Sequence, residues 1–60
     1  MENWLKTMRG EMSQREAANR VGITQAFYCE IEKGKKKPSV DVAKRIAKVL
    51  GFEWTRFFEE

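Results

Sequence analysis

Lys33, Lys35, Lys36, Lys37, Lys44, Arg45 and Lys48 stand in one window of the chain whose sole acid is Asp41. Beyond it the balance reverses, with Glu53, Glu59 and Glu60 against Arg56. Lysines grouped this way concentrate positive potential on one side of a small protein, which is the chemistry of binding an anionic partner. A solvated loop has the same composition, so the reading depends on where the lysines sit. Covalent chemistry has fewer means here. The chain has no histidine and one cysteine, Cys29. A Cys–His or Ser–His nucleophilic pair is therefore impossible, and so is a structural zinc site of the usual ligand types. Cys29 has no partner for an internal disulfide, which points to a reducing, cytoplasmic setting. Lysine or carboxylate catalysis would need a pocket, and 60 residues leave little volume for one. The inventory predicts a binding protein and no enzyme, with no metal, no cofactor and no evident small-molecule ligand.

The length allows one small domain, residues 1–60, which buries only about 60% of the surface exposed when unfolded. Hydrophobic residues at 42% and charged residues at 35%, with a net charge of +3, fit a compact soluble domain. No apolar run approaches the roughly 20 residues that span a bilayer. The start, Met1-Glu2-Asn3-Trp4-Leu5-Lys6, lacks the pattern of a signal peptide.

These residues must be positioned by helices, because the apolar spacing is helical and never strictly alternating. Gly10, Gly22, Gly34 and Gly51 each follow a stretch of helix formers, as residues past a helix end do. The spacing predicts a first helix over about 2–9, with Leu5 and Met8 inward. A second opens at Ser13, where Glu16 three residues on completes a capping box, and buries Ala17, Ala18 and Val21. A third begins at the Thr24 cap and ends near Lys33. A fourth runs from Ser39, after Pro38, to Leu50, with Val40, Ala43, Ile46, Ala47 and Leu50 on one face. A fifth, about 53–59, carries Trp54, Phe57 and Phe58. The expected fold is all-α, a five-helix bundle.

Only Gly22 and Ile23 separate Val21 from Thr24. So tight a turn forces helices 2 and 3 to cross steeply, and the small pair Ala17 and Ala18 lets them approach closely. Ile23 can pack as a hydrophobic staple before the cap. These are the geometric requirements of a helix-turn-helix. On helix 3, Tyr28 and Ile31 point one way, flanked by Phe27 and Glu32. Gln25, Ala26, Cys29, Glu30 and Lys33 take the opposite face, polar and small enough for a major groove about 12 Å wide.

Ser13-Gln14-Arg15-Glu16-Ala17-Ala18, Gly22-Ile23-Thr24-Gln25 and Ile31-Glu32-Lys33-Gly34, followed by Pro38-Ser39, resemble the lambdoid phage repressor and Cro-type DNA-binding domain. The similarity runs from about Leu5 to Phe58. It implies a helix-turn-helix transcriptional regulator, usually a dimer on a palindromic operator, with helix 3 in the major groove. Base contacts implied are Gln25, Ala26 and Glu30, with Cys29 on the same face. Gln14, at the start of helix 2, matches a phosphate-holding position, as does the Lys35–Lys37 loop. Thr24 and Lys33 flank helix 3 as further backbone contacts. Arg9 and Glu32 match a pair that ties helix 1 to helix 3. Three departures stand out: Ala17 where leucine is commoner, a shorter loop between helices 1 and 2, and a negative charge at Glu30.

Read from the residues alone, several side chains keep two roles. Gln25 can bond bidentately to adenine, and Ala26 can touch a thymine methyl or merely let the helix close on the groove floor. Glu30 can accept from cytosine or turn toward Lys33. Phe27 is either core rim or an apolar contact to DNA. Cys29 is either a redox switch that blocks DNA binding or a small side chain near DNA. Trp54, Phe57 and Phe58 are too much aromatic surface for one terminal helix to bury, so part closes the core and part forms a dimer contact. A protein-interaction module, antitoxin-like or an anti-repressor partner binding through the aromatic helix, is the competing function.

Overall fold

The computed structural model describes residues 4–59. Its elements are α1 (Trp4–Arg9), α2 (Gln14–Val21), α3 (Gln25–Glu32), α4 (Val40–Leu50) and a terminal 3-10 turn (Trp54–Phe58). Four α-helices are thus present among the described residues, and the expected fifth helix is this 3-10 turn. Five residues are too few to repay the nucleation of an α-helix, and the tighter winding suits a short terminal piece. The expected start of the first helix at Glu2 lies outside the described residues.

Local chemistry accounts for the helix ends. Ser13, Thr24 and Ser39 have extended backbones, and each hydroxyl accepts from the amide three residues on: Glu16 at 3.0 Å, Phe27 at 3.1 Å and Val42 at 3.3 Å. Only half of the expected capping box forms. The Glu16 carboxylate turns to Arg20, one helical turn away, at 2.8 Å. Gly22 ends α2 in the left-handed region at φ 90°, its amide and that of Ile23 both donating to the Ala18 carbonyl. That double closure turns the chain within two residues, so α3 starts across α2.

The core is built where α2 meets α3 and α4. Ala17, Ala18, Val21, Tyr28, Ile31, Ala43, Ile46 and Ala47 are buried there, with Leu5 from α1. Ala17 is wholly buried, and its small side chain goes with the closeness of α2 and α3. Ile23 and Phe27 pack half-buried against this cluster, which places Phe27 at the core rim. Two inward assignments change. Val40 is 48% exposed and Val42 packs inward in its place, while Met8 is only half-buried. Val40 is the first residue of α4, where no preceding helical turn lies beneath it.

The C-terminal aromatics divide. Phe57 packs with Trp4 and Phe52 at centroid distances of 5.1–5.5 Å and closes the core near α1. Trp54 and Phe58 form a second, outer pair at 6.0 Å, and Phe58 remains 37% exposed.

Candidate nucleic-acid interface

The steep turn leaves the N-terminal end of α3 exposed, with Thr24, Gln25 and Ala26 all open to solvent. The Thr24 cap consumes the Phe27 amide, and the remaining first-turn amides keep the positive end of the helix dipole outward. Cys29 and Glu30, one turn further along, are half-buried. Of the residues expected on one face of α3, the structure thus separates an open first turn from a partly covered middle.

Lys33, Lys35, Lys36 and Lys37 are exposed at the other end of α3, about 12 Å away by the helical rise. The loop is tied to the helix it follows. Gly34 adopts φ 79°, and the amides of Lys35 and Lys36 return to the Glu30 carbonyl at 2.9 and 3.3 Å. Of the two readings of Glu30, the turn toward Lys33 is not what forms: its carboxylate faces Lys36 at 3.7 Å. The left-handed glycine reverses the chain and brings Lys36 over the last turn of α3. The two side chains are 58% and 41% exposed, so this contact is worth little and can be exchanged. The Lys37 ammonium lies 5.6 Å from the Phe58 ring centre.

Behind this surface lies a polar cluster that fixes α3. Arg9 Nε donates to Glu32 Oε2 at 2.9 Å and Nη2 to Oε1 at 3.0 Å, a bidentate pair with side chains 12% and 4% exposed. Arg9 Nη1 donates to the Met12 carbonyl, so one guanidinium holds α3 and the α1–α2 loop together. Gln14 Nε2 donates to Glu32 Oε1 at 3.1 Å. Its amide is therefore oriented by the pair, at the first position of α2. The Tyr28 side chain is buried beside this pair, and its burial raises the phenol pKa. Burial by itself would raise the Glu32 carboxyl, but the bonds from Arg9 and Gln14 outweigh it and hold it below the usual range. The Glu32 bond raises the Arg9 guanidinium further. Tyr28 and the Met12 carbonyl were not anticipated in this cluster. The signal for Tyr28 was available, since it lies four residues before Glu32 on the same helical face.

Trp54 carries Lys44 at 5.2 Å, and Arg56 lies over Trp4 at 4.6 Å. With Phe58 beneath Lys37, cations cover both outer rings of the C-terminal turn, Trp54 and Phe58, and Trp4 of α1. Among the described residues no helix is long and apolar enough to cross a membrane, and no group of three acidic, cysteine or histidine side chains could hold a metal.

A helix-turn-helix family model of the Cro/C1 type matches residues 5–57. The chain is 48% identical over 62 aligned positions to the uncharacterized HTH-type transcriptional regulator YqaF of Bacillus subtilis, covering 100% of this chain and 82% of that protein. It is 45% identical over 42 positions to an uncharacterized HTH-type transcriptional regulator of Methanothermobacter thermautotrophicus, covering 70% of this chain and 61% of the other. No solved structure matches it significantly. The tight α2–α3 turn, the capped and exposed start of α3 and a family match over nearly all of the described residues place the chain in the Cro/C1-type helix-turn-helix family.

Proposed function

We propose that residues 1–60 act as one sequence-specific, double-stranded-DNA-binding transcriptional regulator, a repressor that binds a palindromic operator as a homodimer. The observation that carries this reading is the exposed first turn of α3, with an exposed basic loop one helix length away. In the major groove, Gln25 reads an adenine edge and Ala26 meets a thymine methyl. Cys29 and Glu30 face the groove from the next turn. Lys33, Lys35 and Lys36, with Gln14 and Thr24, hold phosphates on either side and set the register. Lys37 joins them by leaving the Phe58 ring.

The dimer contact in this proposal is the outer pair Trp54 and Phe58, with exposed Val40 at the start of α4. Phe57 serves the core and contributes little to it. A two-fold partner is needed because one short α3 spans only a few base pairs, and half-sites lie one helical turn apart. Selection of bound sites from random duplexes tests both parts. An enriched palindrome with half-sites about 10 bp apart is expected. Enrichment of no sequence would overturn specific recognition, and one protomer per site would overturn the dimer.

A further inference from the structure

A groove of about 320 Å³ opens between the start of α1, the end of α3 and the loop that carries the lysines. It is lined by the buried Leu5, Ile31 and Pro38 and, on one side, by the rings of Trp4 and Phe57, which pack against each other at 5.1 Å. Lys33, Lys36 and Lys37 stand on the rim, all exposed. Glu32 also borders the groove, but its charge is answered by Arg9 and Gln14. The opening is therefore apolar below and positive above.

We propose that this groove binds a small amphipathic monocarboxylate, with the tail over Leu5 and Ile31, against the packed edge of Trp4 and Phe57, and the carboxylate on Lys36 and Lys37, and that the bound ligand weakens DNA binding. Charge complementarity selects the anion, because among the described residues the rim offers three ammonium groups and no unpaired carboxylate. The apolar floor selects against inorganic phosphate, which would gain nothing from it. The volume lies at the lower end of the range for small-ligand sites, so the occupant is a short-chain or single-ring acid, not a protein segment. Neither lysine is committed elsewhere by a strong contact: Lys36 has the exposed Glu30 pair at 3.7 Å and Lys37 the Phe58 ring at 5.6 Å.

The effect on DNA rests on the proposed function, since the same lysines hold phosphates there. Ligand and duplex would compete for them, and the coupling is reciprocal. Losing one or two phosphate contacts lowers affinity by about five-fold or more at low salt and flattens its salt dependence.

The test uses the whole chain with octanoate as the probe and octanol and octylammonium as controls. Amide spectra are recorded during titration, and affinity for a mixed-sequence duplex is measured with and without saturating octanoate. Saturable shifts confined to Trp4, Leu5, Ile31, residues 33–37 and Phe57, stronger for octanoate than for octanol or octylammonium, support the site. Shifts of equal size at Lys44 and Lys48, or none at millimolar octanoate, overturn it. Lys37→Gln, a surface change away from the core, should weaken octanoate binding several-fold, and unchanged binding counts against the assigned rim. Saturation of the groove without loss of duplex affinity overturns the coupling. A chain that binds octanoate but never binds DNA would overturn the proposed function and leave the site standing.

Discussion

Replacing Glu32 by alanine should unfold the protein or lower its melting temperature steeply. The carboxylate is 4% exposed and accepts both Arg9 bonds, at 2.9 and 3.0 Å, and the Gln14 amide at 3.1 Å. Alanine removes both acceptor oxygens, and with them all three bonds. Arg9 keeps the Met12 carbonyl, but its Nε and Nη2 would face a cavity with the side chain only 12% exposed. Stranding one member of a buried pair costs about 3–5 kcal/mol. Residual hydration of Arg9 and its Met12 bond favour the lower end, about 3 kcal/mol. A chain of this length has about 3–9 kcal/mol in total at typical stability per residue. The expected fall in Tm is about 12 °C or more, from 4–8 °C per kcal/mol in small domains. Thermal and urea unfolding followed by circular dichroism reads it. A double-mutant cycle with Arg9→Met and Glu32→Leu separates burial of charge from loss of attraction. The reasoning expects the double variant to be more stable than Glu32→Ala, because no charge is stranded in it. Additive effects of a few tenths of a kcal/mol, as exposed pairs give, would refute it.

Stability should also fall as pH drops from about 5 toward 3. Glu32 has a folded-state pKa below its ordinary value of 4.5, so its stabilisation is full above that value and is lost on protonation below it. Urea unfolding across this range, with Glu32→Gln as the control lacking the titration, checks the sign. Gln25→Ala should cost about 1–3 kcal/mol on the selected site and relax preference at one base pair. Equal losses on random DNA would remove Gln25 from the base-reading set. Lys36→Ala should weaken all duplexes alike and reduce the slope of log affinity against log salt by about one, read by titration at several salt concentrations. Gly22→Ala should destabilise by about 1–2 kcal/mol through its φ of 90° alone. The added methyl would meet only the Arg45 side chain at an ordinary 3.8 Å, so a larger loss would mean the turn itself has moved.

Features that depend on neighbouring residues were legible in the chain. The caps at Ser13, Thr24 and Ser39 act over three residues, and the Gly22-Ile23 turn needs no distant partner. Helical periodicity identified most of the core for the same reason, since one face of each helix must be apolar before any packing occurs. The family, too, lay in short local motifs. What tertiary structure decided are choices between partners of similar chemistry. Glu16 had Ser13 and Arg20 within reach, and Glu30 had Lys33 and Lys36. Which lysine lies closer depends on how Gly34 reverses the loop, which periodicity does not encode. The split of the aromatics into Phe57 inside and Trp54 with Phe58 outside follows from where Trp4 and Phe52 stand, some fifty and five residues from Phe57 in sequence. The orientation of Gln14 toward Glu32 exists only once α2 and α3 have met, and the groove beneath the lysines only once α1, α3 and the C-terminal turn have. Contacts between residues distant in sequence depend on the summed geometry of several elements, and no single segment carries that information.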